Sequence, residues 1–126
     1  MHEIMKSYIS FYFHQYRVHI FMDVLRGMGN PSRICFMIDL SGKRLMLVPY
    51  EKRDFKSHCV PKKVYTDGNG LEINSMKLCK IISQLHNLDE DESYRFPGVV
   101  DLTEHAAVFD LTKPQAIRQF GEESPE

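Results

Sequence analysis

The chain has 126 residues, 43% hydrophobic and 26% charged, proportions that support one ordinary globular core and exclude a disordered chain. A net charge of −1 conceals a split: residues 1–63 carry 11 Lys and Arg against 5 acids (+6), and residues 64–126 carry 5 against 12 (−7). No apolar run approaches the roughly 20 residues of a spanning helix, and Cys35, Cys59 and Cys79 lack the spacing of a disulfide framework, so no membrane is expected and a reducing cytoplasm is.

The stretch Ser7 to His14 (SYISFYFH) is aromatic and β-branched, with Ile9, Phe11 and Phe13 on one face and Tyr8, Ser10 and Tyr12 on the other; that alternation predicts a strand. A weak turn at Gln15-Tyr16 leads into Arg17 to Ile20, a second strand able to pair back on the first. Phe21, Val24, Leu25 and Met28 then recur at helical spacing. Gly29 suits a left-handed cap, and Asn30-Pro31 stops the helix.

Ile34 to Leu40 and Arg44 to Val48 form two apolar runs around Ser41-Gly42-Lys43, the clearest hairpin signal in the chain. Tyr50 to Lys63 reads as a basic loop with a brief strand at His58 to Val60. Thr66 to Gly70 is a turn cluster where the charge changes sign. Leu71 to Ile73 suits a short strand, and Asn74 or Ser75 can cap a helix reaching His86, buried through Leu78, Ile81, Ile82, Leu85 and Leu88. Asp89 to Ser93 is a solvated turn, Tyr94 to Val100 a strand interrupted at Pro97-Gly98, and Ala106 to Leu111 a further strand. Thr112 to Phe120 is expected to make a last helical turn behind Pro114, and residues 121–126 to fray.

Val18 to Tyr50 and Leu71 to Leu111 thus share one order, strand, helix, strand, turn, strand, which suggests a repeat (8–63 and 71–111) inside a single domain, 1–126. The run QYRVHIFMDVLRGMGNPSRICFMIDLSGKRLMLVPYE resembles the AbrB-like swapped-hairpin family of bacterial DNA-binding regulators, over about residues 8 to 51. Arg17 matches the family's arginine after its first turn, Val24 to Gly29 its short helix, and Ile34 to Val48 its closing hairpin. The chain has Ile20-Phe21 where the family has Ile-Pro. The resemblance implies an α+β fold of two βαββ units, forming a swapped-hairpin β-barrel or pseudo-dimer, and a role in transcription regulation.

The chemistry follows the charge. Arg17, Arg26, Arg33, Lys43, Arg44, Lys52 and Arg53 are candidates for contacts with the phosphates of duplex DNA, each making affinity salt-dependent. Against them stands the sign alternation of Glu51 to Lys56, which reads as a self-neutralised solvated loop. The alternative function is a non-catalytic interaction module, antitoxin-like or scaffold, whose acidic half docks a basic protein or a second copy. No GxxxxGK[ST], GxGxxG or GxSxG occurs, and no Cys or His pair has metal-ligand spacing. No enzyme activity, cofactor, metal or small-molecule substrate is therefore expected. His58-Cys59 is the one close nucleophile pair, and neighbours on a strand point to opposite faces.

Overall fold

A computed structural model describes residues 3–117. Its strands are β1 (Ile4–Tyr12), β2 (Arg17–Ile20), β3 (Arg33–Ile38), β4 (Arg44–Pro49), β5 (Ser57–Cys59), β6 (Leu71–Asn74), β7 (Ser93–Asp101), β8 (Ala106–Asp110) and β9 (Gln115–Ala116). Three short helices join them: α1 (Met22–Gly27), α2 (Lys62–Asp67) and α3 (Met76–Leu85). All strand pairs are antiparallel, in the order β5-β3-β4-β8-β7-β1-β2-β6, with β9 beside β7. The fold is α+β, a nearly closed antiparallel barrel.

The period-2 pattern of the first strand fixes what faces inward. Ile9 and Phe11 are fully buried, as is Phe13 just beyond them, and they meet Val18 and Ile20 of β2, Phe96 and Val100 of β7, and Phe109 of β8 in one apolar cluster. Phe11 stands edge-on to Phe96 at 5.7 Å between ring centres, a favoured aromatic geometry. Val24 and Leu25 seal the cluster from α1, and Cys79 and Ile82 from α3. Both sequence halves therefore build one interior.

Helix ends follow their local signals. Ser75 caps α3 by accepting a hydrogen bond from the Leu78 N–H at 3.2 Å, as the sequence suggests. Gly29 takes the left-handed conformation expected after α1. The two helix exits are alike in detail: Gly29 N–H donates to Arg26 and Asn30 N–H to Leu25, while Asn87 N–H donates to Gln84 and Leu88 N–H to Ser83. Each is the paired closure that satisfies a helix's last carbonyls.

Four expectations are corrected. β1 begins at Ile4, four residues before Tyr8, because β7 offers partners as far as Asp101. Thr66 and Asp67 lie inside α2, and Gly68, left-handed, is its cap; the turn cluster marks a helix end. Pro97-Gly98 does not interrupt β7. Pro97 falls between the β8 partners, which begin at Gly98, and the β9 partners, which end at Arg95, so its missing N–H is tolerated. The helical turn expected over Thr112 to Phe120 is instead a turn followed by β9, where pairing with Tyr94 and Arg95 outweighs the Pro114 signal. The part of that segment beyond Ile117, and the expected frayed tail, lie outside the described residues.

Candidate nucleic-acid interface

With Ile9 and Phe11 turned inward, alternation turns Lys6, Tyr8 and Ser10 outward on β1. The β1–β7 register sets them opposite Val99, Pro97 and Arg95. From Val99 the same outward row continues across the barrel to Val108, Met46 and Met37, each facing the next across a strand pair. One ring of the outer surface is therefore apolar over four strands, with Lys6 at its end.

The next register step along β4 and β8 sets Arg44 opposite Asp110. Lys43 precedes Arg44 in the hairpin turn, and Lys113 follows Asp110. A shallow cleft of about 460 Å³ lies between Lys43, Arg44, Val99, Val108 and Asp110. A second, of about 370 Å³, lies between Lys6, Tyr8, Val99, Asp110 and Lys113. They share Gly98, Val99 and Asp110, so Lys6, Lys43, Arg44 and Lys113 border one continuous strip, and Arg95 flanks its Lys6–Tyr8 end.

The acids on this strip are occupied. Asp39 faces some desolvation, yet the N–H groups of Arg44 and Lys43 and the Ser41 hydroxyl, at 3.0 to 3.1 Å, hold its carboxyl below the ordinary range. Arg44 lies 3.3 Å from it. Asp110 is also held low, first by the Thr112 hydroxyl at 2.6 Å and then by the Thr112 N–H at 2.9 Å; Lys113 is 3.9 Å away. Arg95 donates to Gln115 at 3.0 Å and lays its guanidinium 4.5 Å over the Tyr8 ring. Lys6 and Lys43 make no ion pair among the described residues. Those two lysines keep their donors for an anionic group, and the paired Arg44, Arg95 and Lys113 stand beside them as held positive charge.

The seven nominated residues divide. Lys43 and Arg44 join the strip. Arg33 donates to the Ser57 hydroxyl at 2.9 and 2.7 Å, tying β3 to β5, and borders a separate cleft with Arg53 and Lys62. Lys52 and Arg53 are exposed in the loop before β5. Arg26 is exposed on α1. Arg17 lies 3.7 Å from Glu72 and 4.8 Å from the Tyr12 ring centre, and its buried Nε lacks a hydrogen-bond partner; it serves the β2–β6 edge.

Lys6, Arg95 and Lys113 escape a sequence reading. Lys6 shares the outward parity of Tyr8, a usable signal once the strand is known to start at Ile4. Arg95 and Lys113 sit in the acidic half, and only the sheet brings them to Lys6 and Lys43. His58 turns in against the Phe36 ring, with burial and then Arg33 lowering its pKa, whereas Cys59 is exposed. Among the described residues no three His, Cys, Asp or Glu side chains gather as for a metal ion, and no helix is long and apolar enough to cross a membrane. Comparison with family models, curated proteins and solved structures finds no match.

Proposed function

We propose that this chain is an AbrB-like DNA-binding regulator in which two βαββ units in one chain take the place of two subunits, and that its outer strip holds the phosphate backbone of duplex DNA. One observation carries the reading: Lys6, Lys43, Arg44 and Lys113, drawn from both halves and flanked by Arg95, border one sheet face on which the cations outnumber the two aspartates, Asp39 and Asp110. The unit duplication draws support from the repeated element order, β2-α1-β3-β4 and β6-α3-β7-β8, each unit closing on an antiparallel hairpin. The work is binding, with no bond made or broken.

The test is fluorescence anisotropy with a mixed-sequence duplex across a salt series. Lys6, Lys43, Arg44, Arg95 and Lys113 alone contribute about −4.5 to the log–log salt slope. Lys6→Glu combined with Lys43→Glu should abolish binding without lowering the melting temperature. Absence of binding at low salt would end this reading.

A second reading, a protein-interaction module, is favoured by the apolar row itself. Met37 and Val99 are 42% and 36% exposed, and an apolar centre with a charged rim is ordinary interface anatomy. Sedimentation at two concentrations, with Met37→Lys as control, separates it: loss of a dimer in the variant supports the module, and a monomer throughout does not.

A further inference from the structure

The basic loop between β4 and β5 carries Phe55, 88% exposed and the most exposed aromatic among the described residues. The loop holds it there by a defined construction. Asp54 accepts hydrogen bonds from the Lys56 N–H at 2.9 Å and the Tyr50 hydroxyl at 2.9 Å, and its carbonyl accepts from the Ser57 N–H at 3.1 Å. These bonds close a tight turn with Phe55 at its tip, so the ring is presented by a braced backbone.

The loop's charges are nonetheless uneven: Lys52, Arg53 and Lys56 stand against Glu51 and Asp54, a net of +1. Asp54 is committed to the turn, first by the Lys56 N–H, which with the Tyr50 hydroxyl keeps its carboxyl low against some desolvation. Lys52, Arg53 and Lys56 make no ion pair among the described residues, and the Lys56 ammonium lies 6.0 Å from the Phe55 ring centre. Register also places the loop. Cys35 points outward from β3, opposite Val48 and Ser57, yet is only 6% exposed. The pairing with Ser57, where the turn ends, sets the loop's exit at the outward side of β3, and burial raises the Cys35 thiol there.

We propose that Phe55 is a wedge that enters the minor groove of the bound duplex and parts one base step, with Lys52, Arg53 and Lys56 on the flanking phosphates. The proposal rests on the DNA-binding reading above and adds to it a second contact and a distortion. A convex tip suits a groove, whereas an extended acidic peptide needs a concave bed. One apolar side chain is too little to anchor a protein on a lipid surface, but a single wedge among backbone contacts is how minor-groove proteins bend DNA.

The experiment uses the full chain and a duplex with 2-aminopurine at successive steps, whose fluorescence rises on unstacking. Wild type should raise it on saturation. Phe55→Ala should abolish the rise and weaken binding about tenfold, a scale consistent with the cost and return of parting one step, with the salt slope unchanged because no cation is lost. Phe55→Leu should retain the rise, and equal melting temperatures show that all variants fold. Tight binding with no rise, and Phe55→Ala indistinguishable from wild type, would overturn the wedge and leave the strip standing. No duplex binding at low salt would overturn both. Phe55-dependent capture by phosphatidylserine vesicles without duplex binding would overturn the wedge in favour of a membrane.

Discussion

The β3–β4 and β7–β8 hairpins lie side by side at the centre of the sheet, joined through β4 and β8. Their inward positions correspond: Ile34 with Phe96, Leu45 with Ala107, Leu47 with Phe109, all fully buried. Both turns open on an aspartate. Asp39 accepts from the N–H groups of Lys43 and Arg44, and Asp101 from those of Thr103 and Glu104. The outward chemistry differs, with Lys43 and Arg44 on the first turn and Glu104 and His105 on the second. The interior is held to one pattern by packing, which penalises any change of volume, while exposed positions are free to take opposite charges.

If the hairpins are equivalent in packing, truncating either centre should cost on the same scale. Phe109→Ala should destabilise by about 3–5 kcal/mol and Leu47→Ala by about 2–5, read from urea denaturation. A near-neutral Leu47→Ala would break the comparison.

The two hairpins should part at one position. Gly98 corresponds to Phe36, but a Cβ on Gly98 would lie 2.3 Å from the Val108 carbonyl and 2.5 Å from the Phe109 ring. Gly98→Ala should therefore cost roughly 1–3 kcal/mol as overpacking, visible as a lowered melting temperature. Phe36→Ala destabilises by the opposite route, through an emptied space. A neutral Gly98→Ala would mean that the second hairpin is less tightly registered than the first.

Alkaline melting probes the helices α2 and α3. Burial pushes the Cys79 thiol up to about 11 and the Tyr65 hydroxyl, which donates to the Pro31 carbonyl at 2.5 Å, up to about 12. A group raised on folding contributes stability fully below its ordinary pKa and loses it as pH rises through the folded value. The melting temperature should fall from about pH 9 upward, less steeply in Cys79→Ser.

The smallest effect belongs to the turn aspartates. Asp39→Ala and Asp101→Ala should each lower the melting temperature by less than either core truncation. Because the Asp39 carboxyl is held low, its contribution is present above the ordinary carboxylate range and is lost as pH falls through the depressed value. Equal shifts from the two substitutions would sharpen the likeness of the turns.

Much of the local structure was legible in the chain. Alternation around Ile9 and Phe11 set the core face of β1, Ser41-Gly42-Lys43 set the first hairpin, with Gly42 in the left-handed region its turn requires, and Ser75 set the start of α3. These signals are short-range, each fixed by backbone dihedrals, a capping hydrogen bond or a two-residue period. The helix α2 was hidden because its six residues, KKVYTD, offer only Val64 and Tyr65 to the core, too few to make a helical stripe. The strand β9 was hidden because two residues acquire strand character only from a partner.

What the sequence determined by itself is the core face of β1, the first hairpin, the helices α1 and α3, and the two-signed charge. Which charges share a face was decided by the tertiary structure alone. Arg95 and Lys113 stand far along the chain from Lys6 and Lys43, and only long-range strand pairing brings them together. That Phe55 stands at the tip of a turn closed by Asp54 was decided by hydrogen bonds that the run of letters does not show. A carboxylate's partner is chosen by distance in space, which spacing along a chain does not encode.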